Sequence, residues 1–548
     1  MFPEFMLITS KFSPYYRSFG YGLRFAIMAA MSIGSSPALK EAPYTRKVLL
    51  LILLLFCIRL GLAFFVELGN DESYYWLYSQ KLQWNYFDHP PMVAVWIRFF
   101  TANLLLEDYP GFIRLGSIVS CALSTWFIYK AVSLIHSEKA GWYVACLYNA
   151  SFYAGMIAGI FIWPDAPQML FWTLSMFAIA KVCENGRSWS SWILFGISAG
   201  LCIMSKIHGV FLWTGLGLFI LFHKRTWLKM PQLYVSVLLT ALIVSPILFW
   251  NISHDFVTYK FHSERVVIQR SAIDGGYFFE EFLGQFLLNN PFIVILIGMA
   301  LTAWRKKEIT HSPAISIFQF MGIPLIVLLF IIAISRDTYP HWSGPAWVSL
   351  LPVAAVWLAE KEAKIFPSWI KLLLGGFILF IVCWPFVVRF YPGMFGSKDQ
   401  KDLGKGDTRL DIYGWKKGGE EFAGIYRNAV KTRDVPPNTP LVSYKWWGAH
   451  VEYYFSRPAG TSMIGLGPIV DTHHYLWINN WRKDSLNFTN AFCIVPSDEW
   501  YDVHQKFDPY YSKIDSVTKI ETVRMGKTVR FFYVYKLSGW KNELPIAR

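Results

Sequence analysis

Residues 46–69 read RKVLLLILLLFCIRLGLAFFVELG, a basic pair, Arg46 and Lys47, followed by a run dominated by Leu, Ile, Phe and Val. A helix needs about 20 predominantly apolar residues to cross the hydrocarbon core of a bilayer. This run is long enough, so it is read as a first membrane span with a basic flank. Working outward, similar runs recur along the chain and predict eleven spans, at 47–68, 112–135, 140–162, 166–183, 190–205, 208–223, 231–250, 284–304, 314–334, 343–359 and 367–390. Lys206 and His208 interrupt the 190–223 region, which also reads as one long broken helix.

Composition agrees. Of 548 residues, 54% are hydrophobic and 16% charged, and the mean hydropathy is +0.34. Soluble domains carry about 25% charged residues. The chain is too apolar for a soluble multidomain protein and for a disordered one. The net charge of +14 comes from residues dispersed over the connections, which argues against nucleic acid as a partner. Lys224, Arg225, Lys229, Arg305, Lys306 and Lys307 fall in one set of connections. Asp71, Glu72, Asp88, Asp165 and Asp255 fall in the alternate set. Basic loops face the cytoplasm, so the second set is expected outside.

Residues 1–46 form an N-terminal cytoplasmic or interfacial segment in this reading. Residues 47–390 form the membrane domain, and residues 391–548 an extracytoplasmic α/β domain. Ala491–Val495 and Val529–Tyr535 read as short strands, and Met525-Gly526-Lys527 as a hairpin turn. Two long outer connections, 67–111 and 251–283, are rich in Trp, Tyr and Phe and read as helices lying on the outer leaflet. The seven cysteines show neither zinc spacing nor a CxxC pair.

The first outer connection carries the densest chemistry. It contains Asp71-Glu72-Ser73-Tyr74 and then Asp88-His89-Pro90-Pro91. Ionisable groups beside hydrocarbon are costly and usually functional, and a partly desolvated carboxylate gains basicity. Asp71 at the start of a surface helix is equally the position of an N-cap. Asp165 lies between Pro164 and Pro167, which mark a helix start, so capping accounts for it as well as function does. Lys206 sits between two apolar runs, where a lysine snorkels or meets a lipid phosphate. His262 and Arg265, three apart, share a helix face suited to phosphate or to an interface. His341, in Tyr339-Pro340-His341-Trp342, is a lone histidine on the same side. No P-loop, GxGxxG, GxSxG or HExxH is present.

All these candidates fall on the outer side, where nucleotide sugars are absent. A lipid-linked phosphosugar is the natural activated donor there. Its phosphate calls for cations such as His89, Lys206 or Arg265, and its acceptor for a base such as Asp71. A lipid flippase or transporter is the competing class. Transporters place ionisable residues at the bilayer midplane and often carry inverted repeats, and this chain shows neither pattern.

The Asp-Glu-x-x-Tyr and Tyr-Phe-Asp-His-Pro-Pro-Met pair, with Pro-Asp-Ala-Pro, Ser-Lys and Pro-His-Trp-x-x-Pro, resembles the bacterial branch of the protein O-mannosyltransferase superfamily. That branch includes lipid A aminoarabinose and core galacturonic acid transferases. The resemblance covers roughly 47–390. It implies a multispan α-helical GT-C glycosyltransferase fold in the bacterial inner membrane, with the active site and C-terminal domain on the periplasmic side. It also implies a polyprenyl-phosphate sugar donor, an envelope lipid, glycan or protein acceptor, and inversion at the sugar carbon. The resemblance places the first-loop aspartate at Asp71 and the second acidic position at Asp88, which holds either the acceptor or a divalent metal; Glu72, beside Asp71, is counted with them as a catalytic carboxylate. Donor phosphate falls to His89, where a relative has a lysine, and to Lys206, with Arg265 as a further cation. Tyr74, Asp165, His262 and His341 line the substrate. Tyr74 departs from the pattern, since the aminoarabinose enzymes have an arginine there.

Overall fold

The computed structural model describes residues 43–266, 275–361 and 365–547. The expectation for residues 1–46 therefore lies almost wholly outside the described residues. The chain separates into two compact units. One takes the chain up to Phe65 together with 82–85 and 89–382. The other takes 66–81, 86–88 and 383–548.

The first unit is helical. Its elements are α1 (Pro43–Phe65), α3 (Met92–Phe100), α4 (Pro110–Ile135), α5 (Glu138–Ala150), α6 (Asp165–Glu184), α7 (Trp189–Ser205), α8 (Val210–His223), α9 (Pro231–Ser253), α10 (Val257–Val266), α11 (Gly275–Leu288), α12 (Pro291–Arg305), α13 (Pro313–Ala333), α14 (Gly344–Glu360) and most of α15 (Ile365–Phe390). The helix between the first two, α2 (Asn70–Gln80), belongs to the second unit. Among the described residues, seven segments are long and apolar enough to cross a membrane: α1, α4, α6, α9, α13, Pro340–Glu360 and Ser368–Phe390. The protein is thus a multispan membrane protein, but the structure does not bear out a count of eleven full-length spans. The expected span at 284–304 is two helices, α11 and α12, meeting at 94°. Asn290, with φ 66°, turns the chain there, and Pro291 opens α12. The expected span at 140–162 is the 13-residue α5 followed by a π-turn at Tyr153–Ile157. Hydropathy sees apolar length, whereas a bend inside an apolar run leaves no trace in it.

Burial separates central helices from peripheral ones. The most apolar window of Pro340–Glu360 is 89% buried, and α14 packs against α5, α12 and α13. The window of Ser368–Phe390 is only 22% buried. Leu372 and Leu379 on α15, like Leu238, Leu242 and Phe249 on α9, are exposed and suit a lipid-facing surface. Helices α7 and α9 approach closely at Gly196, where an added Cβ would stand 2.6 Å from the Ser236 carbonyl oxygen. Thr240 Oγ1 donates to the Gly196 carbonyl across that crossing at 2.7 Å. Small residues and hydroxyl bonds of this kind hold helices together where both surroundings are apolar.

Arg59 is one of the charges that lie deep in this unit. Arg59 of α1, 2% exposed, donates from Nε to the Gly155 carbonyl at 3.0 Å and from Nη2 to Asn149 Oδ1 at 3.0 Å. Asn149 in turn donates to Thr125 Oγ1 at 2.9 Å. A π-turn leaves backbone acceptors poorly paired, and Arg59 satisfies one of them.

The second unit carries a five-stranded sheet. Its strands are β1 (Leu441–Ser443), β2 (Met463–Gly465), β3 (Asn490–Pro496), β4 (Tyr511–Arg524) and β5 (Lys527–Trp540), in the order β2-β1-β3-β5-β4. β1 runs parallel to β2 and β3, and β5 runs antiparallel to β3 and β4. The hairpin turns at Met525 and Gly526, with φ 48° and 79°, a left-handed pair that glycine relieves. Helix α16 (Trp415–Lys431) buries Trp415, Gly418, Gly419, Phe422, Ala423 and Tyr426, a helical stripe. Phe422 and Tyr426 pack on Phe492 of β3, and Trp415 on Phe532 of β5. Gly419 is obligatory, because a Cβ there would lie 1.6 Å from the Tyr454 carbonyl oxygen. Asp407 is fully enclosed, with Arg409 Nη2 at 2.6 Å and Arg524 Nη2 at 3.3 Å.

Removing one partner of a buried ion pair costs about 3–5 kcal/mol. Asp407→Ala should therefore lower the unfolding midpoint of the second unit far more than Asp515→Ala, a change on exposed β4, as read by differential scanning calorimetry. Arg59→Leu should cost roughly 1–3 kcal/mol, the loss of hydrogen bonds to a charged donor, and a thermal shift assay of the purified protein would register it.

Candidate functional site

In the first unit four connections converge. They are the turn before α6, the 3₁₀ turn Ile207–Gly209 between α7 and α8, helix α10, and the 3₁₀ turn Pro340–Ser343 before α14. The His341 ring lies 5.6 Å from Trp163, and the His208 ring 5.8 Å from Trp342. Arg265 Nη2 donates to the Tyr339 hydroxyl at 3.3 Å, and the guanidinium lies over the Tyr339 ring at 5.4 Å.

At the centre is an ion pair. Asp165 is the first residue of α6, held by Pro164 before it and by Pro167, which needs no amide partner in a first turn. Lys206 ends α7 in an extended conformation and reaches Asp165 with Nζ at 3.0 Å from Oδ1 and 2.8 Å from Oδ2. The Tyr153 hydroxyl, from the π-turn, donates to Asp165 Oδ1 at 2.9 Å. The two charged side chains are 5% and 2% exposed. In sequence Asp165 reads as a helix cap or a substrate contact, and Lys206 as a snorkelling lysine or a phosphate contact, each on its own. They are one buried pair, and the lysine charge is already balanced.

Around the pair stand four histidines and an arginine. The His89 and His262 rings lie 6.3 Å apart. Burial, and next the charge of Lys206, holds the His89 imidazole well below its usual range, so it is neutral at physiological pH. His89 then serves as a hydrogen-bond donor rather than as a resident cation. Arg265 is left as a charge on a partly exposed surface. His208 Nδ1 is buried with no hydrogen-bond partner among the described residues. Sequence reasoning missed Tyr153, His208 and Tyr339 as part of this group. Only the last two had a local signal, each lying within two residues of a chosen cation or histidine.

In the second unit the other half of the acidic motif is organised by α2. Gly69 is its N-cap, and Glu72, three residues on, accepts the Gly69 amide at 2.9 Å while 1% exposed. Glu72 thus closes the helix start. Asp71 lies in the first turn, one residue after Asn70, whose amide donates to Asp411 Oδ1 at 3.0 Å. Tyr74 and Tyr78, one turn apart, both donate to Asp88 Oδ1, Tyr74 at 3.4 Å and Tyr78 by a short bond. Burial and the Asp88 charge push both phenols well above their usual range, so they remain donors. His473 Nδ1 lies 3.9 Å from Asp88 Oδ2, and the Trp446 ring stacks on His473. Tyr74, at the position of the missing arginine, is a carboxylate donor. The Asp88 surroundings do not suit a divalent metal, because phenol donors occupy one carboxylate oxygen. No group of three His, Cys, Asp or Glu side chains among the described residues is placed to hold a metal. His473 and His474, far along the chain, were also missed.

Residues 88–250 match the family model described as dolichyl-phosphate-mannose-protein mannosyltransferase. The lipid A galacturonosyltransferase RgtD of Rhizobium johnstonii is 24% identical over 395 residues, 71% of this chain and 80% of that one. The crystal structure of ArnT from Cupriavidus metallidurans in the apo state superposes with a TM-score of 0.60 at 14% identity, covering 91% of this chain and 99% of that one. The same protein bound to undecaprenyl phosphate gives 0.57 at 13% identity, covering 92% and 100%. The resemblance to the bacterial protein O-mannosyltransferase-like superfamily and its GT-C fold is borne out.

Lys206→Ala leaves Asp165 charged and buried, and should destabilise the protein by about 3–5 kcal/mol. Adding Asp165→Asn should return much of that stability. A thermal melt of the single and double variants reads the difference, and full additivity of the two losses would contradict a direct pair.

Proposed function

We propose that the protein is a glycosyltransferase that moves a sugar from a polyprenyl-phosphate carrier to lipid A or another envelope acceptor, outside the inner membrane of a bacterium. The observation that carries this reading is the basic and imidazole cluster around the Asp165–Lys206 pair, set among helices that fit a membrane. The family model that matches 88–250, the lipid A transferase relative and the undecaprenyl phosphate complex of the similar fold support it.

Asp71 is assigned the base. It takes the proton from the acceptor hydroxyl as that oxygen attacks the anomeric carbon. A bond forms between the acceptor oxygen and the carbon, the bond to the phosphate oxygen breaks, and the electron pair leaves with polyprenyl phosphate. Attack opposite the leaving group inverts the sugar carbon. Arg265 meets the phosphate as a charge and His89 and His262 as hydrogen-bond donors, while Lys206 shares its proton donors between Asp165 and the departing oxygen. His341 lines the sugar. Asp88 is held by Tyr74 and Tyr78 of the helix that carries Asp71, and Glu72 fixes the start of that helix.

Asp71→Asn is isosteric and should lower transfer at least about 100-fold, the scale of general-base catalysis, while leaving polyprenyl phosphate binding within about twofold. Mass spectrometry of envelope glycolipids from a deletion strain carrying either form checks this. Restoration of the full mass shift by Asp71→Asn would remove the base assignment.

A further inference from the structure

The second unit contains a recess of about 350 Å³ that the transfer reading does not use. Small-molecule sites span about 300–1,000 Å³. Asn70, Asp411, Trp447, Asp498, Glu499 and Tyr501 are among the residues that line it. Its position in the sheet is informative. β1 and β3 are parallel neighbours, and their carboxyl ends lead directly into it, β1 through Trp447 and Gly448 and β3 through Pro496 and Asp498. From β1 the chain goes on to β2 on one side, whereas from β3 it goes on to β4, beyond β5 on the other. The connections leaving these two adjacent strands therefore part in opposite directions. In open α/β sheets that arrangement opens a crevice beyond the strand ends, and ligands bind there.

The lining says what kind of ligand. Asn70 Oδ1 and Asp498 Oδ1 are both buried with no hydrogen-bond partner among the described residues. Both are acceptors, and a buried acceptor without a donor is costly. Asp407 is neutralised by Arg409, and Asp498 is paired through Oδ2 with Arg530 at 3.5 Å while its Oδ1 stays open, so Asp411 and Glu499 add two further carboxyls. Burial, and then neighbouring acids, pushes Asp411 up to about 6 and Glu499 up to about 7. Lys445 and Lys405 oppose this at Glu499, and Arg530 at Asp411 and Asp498. The recess is thus rich in oxygen acceptors and short of donors, and it repels anions. Trp447 and Tyr501 add aromatic surface. A ring bearing several hydroxyl or ammonium donors and apolar C–H faces meets all of these conditions.

We propose that the crevice at the carboxyl ends of β1 and β3 is a carbohydrate-binding site for one neutral or amine-bearing pyranose ring. Its hydroxyls meet Asn70, Asp498 and Glu499, and its C–H face meets Trp447. The inference does not rest on the transfer reading.

The test uses the full-length protein in lipid nanodiscs, because glycosidic detergents would compete. Methyl glucoside, methyl glucosaminide and methyl glucuronide are titrated while tryptophan fluorescence and saturation-transfer NMR are recorded. The expected result is millimolar binding of the first two and at least tenfold weaker binding of the uronide. Trp447→Ala and Glu499→Gln should each weaken binding at least fivefold with an unchanged melting temperature. Glu499 is exposed, so that substitution preserves the fold. No binding of any glycoside at 50 mM (about 2 kcal/mol of affinity), a preference for the uronide, or binding indifferent to both variants overturns the proposal. Sugar transfer enters none of these readouts, so the two proposals fail separately.

Discussion

The ion pair between Asp165 and Lys206 is the constraint on which the membrane unit depends. Two opposite charges, 2.8 Å apart and almost wholly enclosed, are stable only while both remain. Their distance fixes the start of α6 against the end of α7. Those two helix ends carry Trp163 and His208, whose rings meet His341 and Trp342. The pair therefore sets where these rings stand. It also keeps a positive charge in place in the absence of substrate, which a lone lysine in an apolar setting would not do.

The pair is not isolated. Tyr153 bonds Asp165 and belongs to the π-turn whose Gly155 carbonyl Arg59 holds. Arg59, Asn149 and Thr125 extend that polar line through α1, α5 and α4. In an apolar medium every such group must find a partner, so the line is specified end to end. The second unit solves a different problem. Its sheet is built from short parallel strands and a long hairpin, and buried arginines around Asp407 tie the loop before α16 to β4.

Much of this was legible in the sequence where length and charge decide. Residues 46–69 announced a span, and Met525-Gly526 announced a hairpin turn that the structure contains. The span count was not legible, because bends such as that at Asn290 sit inside apolar runs. Asp165 and Lys206 were each visible, but 41 residues apart they showed no sign of pairing. Glu72 was legible as chemistry and turned out to be a helix cap, since a capping box and an acidic motif share the same letters. His473 was not legible as a neighbour of Asp88, because nothing local links a residue near the end of the chain to its first loop.

The central claim is that a carbon–oxygen bond to a polyprenyl phosphate is broken. The direct measurement incubates purified protein with a polyprenyl-phosphate sugar labelled in both halves and with lipid A in vesicles, and separates the products. The account predicts free polyprenyl phosphate in equal amount to sugar newly attached to lipid A. Label that crosses the bilayer with both halves still joined, and no attached sugar, would contradict it.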